Sequence, residues 1–164
     1  MHLTDFVTED SILTQIRGHS AEDLFHEVVE QLVAGGRLPE HLLEPALISL
    51  LKKNATHVTT VASGVALPHG KLPYSITSVA ALVVVREPID LGWGTPVSVI
   101  VVLLSARDQT QLHLEALASI ARVIGDSDLL HRIRRVTDPA HVYQILLEAE
   151  QEFDQNDDLA VIEA

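Results

Sequence analysis

Two apolar runs limit what this chain can fold into. "SVAALVVV" (78–85) and "VSVIVVLL" (97–104) hold almost no polar residue and show no alternation. A strand with one wet face alternates polar and apolar side chains. A strand without alternation is covered on both faces, so its sheet needs helices on both sides. Both runs have the length of a strand and are rich in β-branched residues. "REPIDLGWGTP" between them reads as a turn-rich connector. "HVTTVASGVAL" (57–67) supplies a further strand, and "SILTQI" (11–16) a short one.

The covering helices are equally legible. Ser20 caps a segment in which Leu24, Phe25, Val28, Val29 and Leu32 recur at helical spacing, closed by Gly35-Gly36. "LPEHLLEPALISLLKKN" (38–54) is a second helix, which Pro45 either starts or kinks. Lys52 and Lys53 sit at its C-terminal end, where the dipole favours cations. In "DQTQLHLEALASIARVIG" the apolar stripe runs through Leu112, Ala116, Leu117, Ile120 and Ile124 to Gly125. "DSDLLHRIRRV" and "DPAHVYQILLEAEQEF" open on aspartate caps. The expected fold is a single compact α/β domain with a mixed, mostly parallel sheet and helices on both faces. It spans residues 1–150. Residues 151–164 are expected to be an acidic tail at a frayed helix end.

Composition removes several functions. With 47% apolar but only 4% aromatic residues, the core is aliphatic. The absence of cysteine excludes disulfides and thiolate metal sites. A net charge of −12 argues against binding nucleic acid or an anionic membrane without specificity. No apolar run reaches the length of a membrane span, and the N-terminus is acidic rather than signal-like, so a cytoplasmic location is expected.

The chemistry points to histidine. There are nine, and His2, His19, His26, His41, His131 and His141 read as surface or boundary residues. His57 stands just before a strand. His69 is set differently, in "VASGVALPHGKLP". Pro68 fixes its own φ and extends Leu67; Gly70 can take angles closed to other residues and leaves room for a ligand. The result is either an imidazole presented at a rigid strand end as base or nucleophile, or a turn histidine with a structural hydrogen bond. His113 opens the helix after "VSVIVVLL", near the strand end where open α/β sheets build sites and where helix N–H groups suit phosphate. The alternative for it is a helix-surface histidine. No zinc-protease, phosphate-loop or nucleophile-elbow motif is present, and no spacing asks for a metal.

"SGVALPHGKL" followed by "REPIDLGWGTPVSVIVVLLSARDQTQLHLEALASIARVI" resembles the enzyme IIA domain of the phosphoenolpyruvate-dependent sugar phosphotransferase system, of the fructose, mannitol and nitrogen-regulatory type. Gly64, Ala66, Pro68, His69, Pro88, Ile89, Asp90, Pro96, Val97, His113, Leu114, Leu117 and Ala118 fit the family pattern, over about residues 5–150. The resemblance implies that His69 accepts a phosphoryl group from a histidine phosphocarrier protein and passes it to a sugar-permease IIB component. In the nitrogen-regulatory branch it implies instead a signal to a regulated protein. His113 is then the histidine that steadies the phosphoryl group. No cofactor, nucleic acid or membrane insertion is implied.

Two departures lie near the acceptor. Lys53 stands where many members carry an arginine, keeping charge but losing the bidentate fork. "TTVA" (59–62) replaces Thr-Gly-Ile-Gly, retaining Thr59 but stiffening the loop. Lys53, Thr59, Gly64 and Gly70 are the expected phosphoryl-site support. Val65, Leu67 and Leu72 are the expected docking patch for a partner. Two rival readings remain: a regulatory binding module on the same fold with little or no phosphotransfer, and a metal-dependent enzyme using His69 and His113.

Overall fold

The computed structural model describes residues 1–163. Its elements are β1 (Ile12–Leu13), α1 (Ala21–Ala34), α2 (Leu43–Asn54), β2 (Thr60–Ala62), β3 (Val65–Ala66), β4 (His69–Leu72), β5 (Val79–Ile89), β6 (Val97–Ala106), α3 (Thr110–Ile124), α4 (Ser127–Ile133) and α5 (Pro139–Glu163). The strands form one mixed sheet in the order β1-β5-β6-β3-β2, with β4 also paired to β6. β1 with β5, β3 with β6 and β4 with β6 are parallel; β5 with β6 and β2 with β3 are antiparallel.

The two apolar runs are β5 and β6, the centre of the sheet, and all of β6 is buried. Alternate residues serve two cores, as strand geometry requires. Leu82, Val84, Val99, Val101 and Leu103 pack with α3, α4 and α5. Ala81, Val83, Ile100, Val102 and Leu104 pack with α1 and α2. The expected single α/β domain with helices on both faces is what forms.

Local boundaries differ from the sequence reading in informative ways. "HVTTVASGVAL" is two short strands, because Ser63-Gly64 turns the chain back on itself; Gly64 has φ 75°. β5 runs on through Arg86-Glu87-Pro88 into the expected connector, with its register broken between Val84 and Ile89. Pro45 neither starts nor kinks α2: it lies in the first turn, where the missing N–H has no intrahelical partner to lose. On α3 the inward stripe holds at Ala116, Ile120 and Ile124 and differs at its first position. Leu112 is 46% exposed, and His113, at 3%, takes the inward place. α5 continues unbroken through residue 150 to Glu163, so the tail is a helical extension whose outer half is exposed.

The N-terminal segment is fastened to α5. Glu150, 4% exposed, accepts hydrogen bonds from the backbone N–H groups of Leu3 (2.7 Å) and Thr4 (3.1 Å).

Candidate functional site

His69 opens β4, an edge strand held by β6. Leu103 donates its backbone N–H to the Pro68 carbonyl (3.1 Å), and His69 pairs in register with Leu103. The next element to fix it is α2. Buried Asn54 ends that helix and donates from Nδ2 to two carbonyls, those of Leu50 (2.8 Å) and His69 (3.0 Å). Trp93 Nε1–H in turn donates to the Asn54 carbonyl (2.7 Å). One side chain thus ties the frayed end of α2 to the backbone of His69, and "LGWG" serves to hold it there.

The ring itself is oriented. His69 Nδ1 lies 2.9 Å from the Leu67 carbonyl, which can only accept, so Nδ1 carries the hydrogen. In the neutral ring Nε2 then presents its lone pair. His113 faces it, with ring centroids 5.5 Å apart and planes tilted by 51°. His113 reaches inward from α3, and its Nδ1 is 2.8 Å from Ser105 Oγ. Burial, then His69, Lys71 and Lys53, lower its pKa from 6.5 to about 4. At neutral pH it is therefore uncharged.

Lys71 stands two residues beyond His69 on β4, on the same face, while Gly70 and Leu72 point to the α2 side. Lys53 comes from the last turn of α2. With Lys52, Arg107 and the 60%-exposed Ile48 they line a groove of about 350 Å³ beside α2. In a chain of net charge −12, four cations share this groove, and no carboxylate lines it.

The expected site residues separate into three groups. His69 and His113 come together, and Lys53 lies close enough to act on His113. Thr59 is exposed and contributes through its backbone: its carbonyl accepts from Leu67 N–H (2.8 Å), steadying the approach to Pro68. Gly64 and Gly70 do other work. Gly64 forms the β2–β3 turn, and its carbonyl accepts from Ser98 and Val99; Ser98 is five positions along β6 from Leu103, the partner of His69. At strand rise that is about 16 Å away. Gly70 does not use a special backbone angle and does not clear space for a ligand. A Cβ there would lie 2.5 Å from Ser49 Oγ, so glycine is needed for α2 to pack on β4. The expected docking patch is also corrected: Val65, Leu67 and Leu72 are core residues at 0–2% exposure. Leu112 and Leu114, 46% and 55% exposed, flank His113 instead.

Sequence reasoning missed Lys71, Asn54 and Ser105. Lys71 had a signal, the two-residue spacing from His69 on a strand. Ser105 had a weaker one, a polar residue closing an all-apolar strand. Nothing local marks Asn54.

Two facing imidazoles, that of His113 uncharged, and two nearby lysines suit a compact, multiply charged group such as phosphoryl. They are poorly suited to holding a metal: among the described residues no three His, Asp or Glu side chains cluster as ligands.

Comparison with known proteins identifies the family. The model of the family described as "Phosphoenolpyruvate-dependent sugar phosphotransferase system, EIIA 2" matches residues 5–149. A nitrogen regulatory protein of Bradyrhizobium diazoefficiens is 30% identical over 148 residues, 89% of this chain and 95% of the relative. The crystal structure of nitrogen regulatory protein IIA-Ntr from Neisseria meningitidis superposes with a TM-score of 0.73 at 25% identity, covering 87% of this chain and 97% of that one. The fold is shared too with enzyme IIA mannitol of Escherichia coli, solved in complex with phosphorylated enzyme IIB mannitol. That match has a TM-score of 0.67 at 15% identity, over 87% of this chain and 97% of the other. The chain belongs to the EIIA 2 family of the phosphoenolpyruvate-dependent sugar phosphotransferase system.

Proposed function

We propose that this protein is a histidine phosphocarrier in which Nε2 of His69 takes a phosphoryl group from a histidine phosphocarrier protein and gives it to a IIB component or a regulated protein. The observation that carries the reading is the hydrogen bond from His69 Nδ1–H to the Leu67 carbonyl. It leaves Nε2 as a lone-pair nucleophile that needs no base. In the transfer, the donor's P–N bond breaks and its imidazole leaves with the electron pair. A new P–N bond forms at His69 Nε2. The His69 ring then bears a positive charge, which the Leu67 carbonyl stabilises through Nδ1–H. The onward step runs the same events in reverse, with the acceptor as nucleophile. Lys53, Lys71 and His113 meet the charge spread over the phosphoryl oxygens.

The likeness to nitrogen regulatory proteins over 87–89% of the chain supports the regulatory branch over sugar transport. The basic groove with Ile48, and the exposed Leu112 and Leu114, suit brief protein contacts around His69. Among the described residues no helix is long and apolar enough to cross a membrane, and a cytoplasmic site of action fits donors of this kind. A second reading, a binding module with little phosphotransfer, draws on Lys53, which offers a point charge in place of the arginine fork.

The test is single-turnover transfer from a phosphorylated histidine phosphocarrier protein, read by intact mass. The carrier reading predicts one adduct of about 80 Da, the mass of a phosphoryl group, formed within seconds and absent in His69→Ala. A protein that binds regulated partners yet gains no adduct, while a control enzyme IIA is labelled, is the binding module.

A further inference from the structure

Ser105 has no place in the chemistry so far, yet it is the polar group closest to the second histidine. It is 0% exposed near the end of β6, beside Lys71 in register, and its hydroxyl reaches His113 Nδ1 at 2.8 Å. A second hydroxyl stands behind it: Ser78 Oγ lies 3.2 Å from Ser105 Oγ. Ser78 directly precedes β5 and is half-buried, so this chain of hydroxyls runs from the rim of the protein to the inner edge of His113.

Such a chain runs in one of two directions. A hydroxyl has one hydrogen to give. With Ser105 receiving from Ser78, its own hydrogen points to His113 Nδ1. That nitrogen is then an acceptor, and in the neutral imidazole the hydrogen resides on Nε2. We propose that Ser105 is a positioning residue that holds His113 in its Nε2–H tautomer, with Ser78 completing the chain, so that His113 offers the phosphoryl group a neutral hydrogen-bond donor. The direction of the chain and the last clause rest on the phosphocarrier reading, in which the phosphoryl oxygens need a donor at Nε2; the hydroxyl contacts do not.

The two histidines then form a complementary pair with opposite tautomers. His69 is held by a carbonyl with its hydrogen on Nδ1 and its lone pair outward. His113 is held by a hydroxyl with its lone pair inward and its hydrogen outward. Reversal of the second would set a lone pair against the phosphoryl oxygens. A neutral donor also suits a carrier better than a cation does. A charged His113 would stabilise the phosphorylated form further and slow the onward step, whereas one uncharged hydrogen bond orients the group without trapping it.

The experiment is a long-range 1H–15N spectrum of the imidazoles at pH 7 in the unmodified protein, followed by the same spectrum and the single-turnover rate in Ser105→Ala and Ser78→Ala. The expected spectrum shows His113 protonated at Nε2 and bare at Nδ1, and His69 the reverse. Ser105→Ala should give a mixed His113 tautomer, leave His69 unchanged and slow transfer roughly tenfold, the worth of about one hydrogen bond. Ser78→Ala, a change at a half-buried site, should give a detectable Nδ1–H population with a smaller loss of rate. A His113 protonated at Nδ1 in the wild type overturns the proposal, as does an unaltered tautomer in both variants. The expected tautomers in a wild type that takes no phosphoryl group would contradict the phosphocarrier reading and leave the Ser105 assignment standing.

Discussion

At His113 burial and nearby positive charge push in one direction. Its pKa falls from 6.5 to about 4, with burial the largest cause, followed by His69, Lys71 and Lys53. The folded state therefore binds a proton less readily than the unfolded chain. Stability is whole above pH 6.5 and is lost as pH falls from there towards 4, where folded His113 begins to titrate. With solvent screening allowed for, the full loss is on the order of 1–3 kcal/mol. His113→Gln removes this contribution. Urea denaturation of the two proteins between pH 7 and pH 4.5 should show the wild type losing more stability than the variant; parallel curves would mean that His113 titrates normally. The burial of this residue was not legible in the sequence. A helical stripe is ambiguous by one position at its end, and Leu112 looked like the inward residue. Packing decided otherwise, because His113 finds a hydroxyl partner inside and Leu112 does not need one. The setting of His69 was legible in part: Pro68 before it and a strand behind it are properties of the local chain, but that β4 begins at His69 was not legible.

The seam between β4 and α2 is the element that positions His69, and its parts were least visible beforehand. A glycine after a histidine reads equally well as a hinge, a ligand clearance or a packing contact. Only the approach of Ser49 decides, and Ser49 is 21 positions away. Gly70→Ala places a methyl against Ser49 Oγ and should cost about 1–3 kcal/mol in stability by overpacking. Ser49→Ala should recover part of that loss in the double variant, read by denaturant titration. Full additivity would show that the contact is absent. Asn54→Ala deletes both side-chain hydrogen bonds to the Leu50 and His69 carbonyls and should cost about 1–3 kcal/mol. It should also lower the rate of phosphoryl transfer, because the backbone of His69 loses its tie to α2. Unchanged stability and rate would remove Asn54 from the account. By contrast the bounds of α1 were plain in the sequence, since Ser20 caps through its own side chain and Gly35 follows the last turn.

On the scale of the whole molecule, charge and topology divide the labour. The sheet was legible because two unalternating runs require cover on both faces, and pairing them centrally is the cheapest way to bury both. Their antiparallel pairing was not, for it depends on a connector whose first half is still strand. Residues 151–164 carry five acidic side chains and no basic one. Within the described residues they meet the body through exposed pairs, Arg122 with Asp157 (2.6 Å), His2 with Asp154 (2.9 Å) and Arg132 with Glu152 (3.9 Å), and through half-buried Phe153. Exposed pairs contribute little. Truncation after Glu150, which keeps the contact to Leu3 and Thr4, should lower Tm by no more than about 5 °C and leave phosphoryl transfer unchanged; a larger fall would make the tail part of the domain. The central claim concerns one nitrogen atom. A 31P–15N correlation spectrum of the 15N-labelled, phosphorylated protein tests it most directly. Attachment at Nε2 of His69 is the predicted result. Attachment at Nδ1, or at any other of the nine histidines, would contradict it.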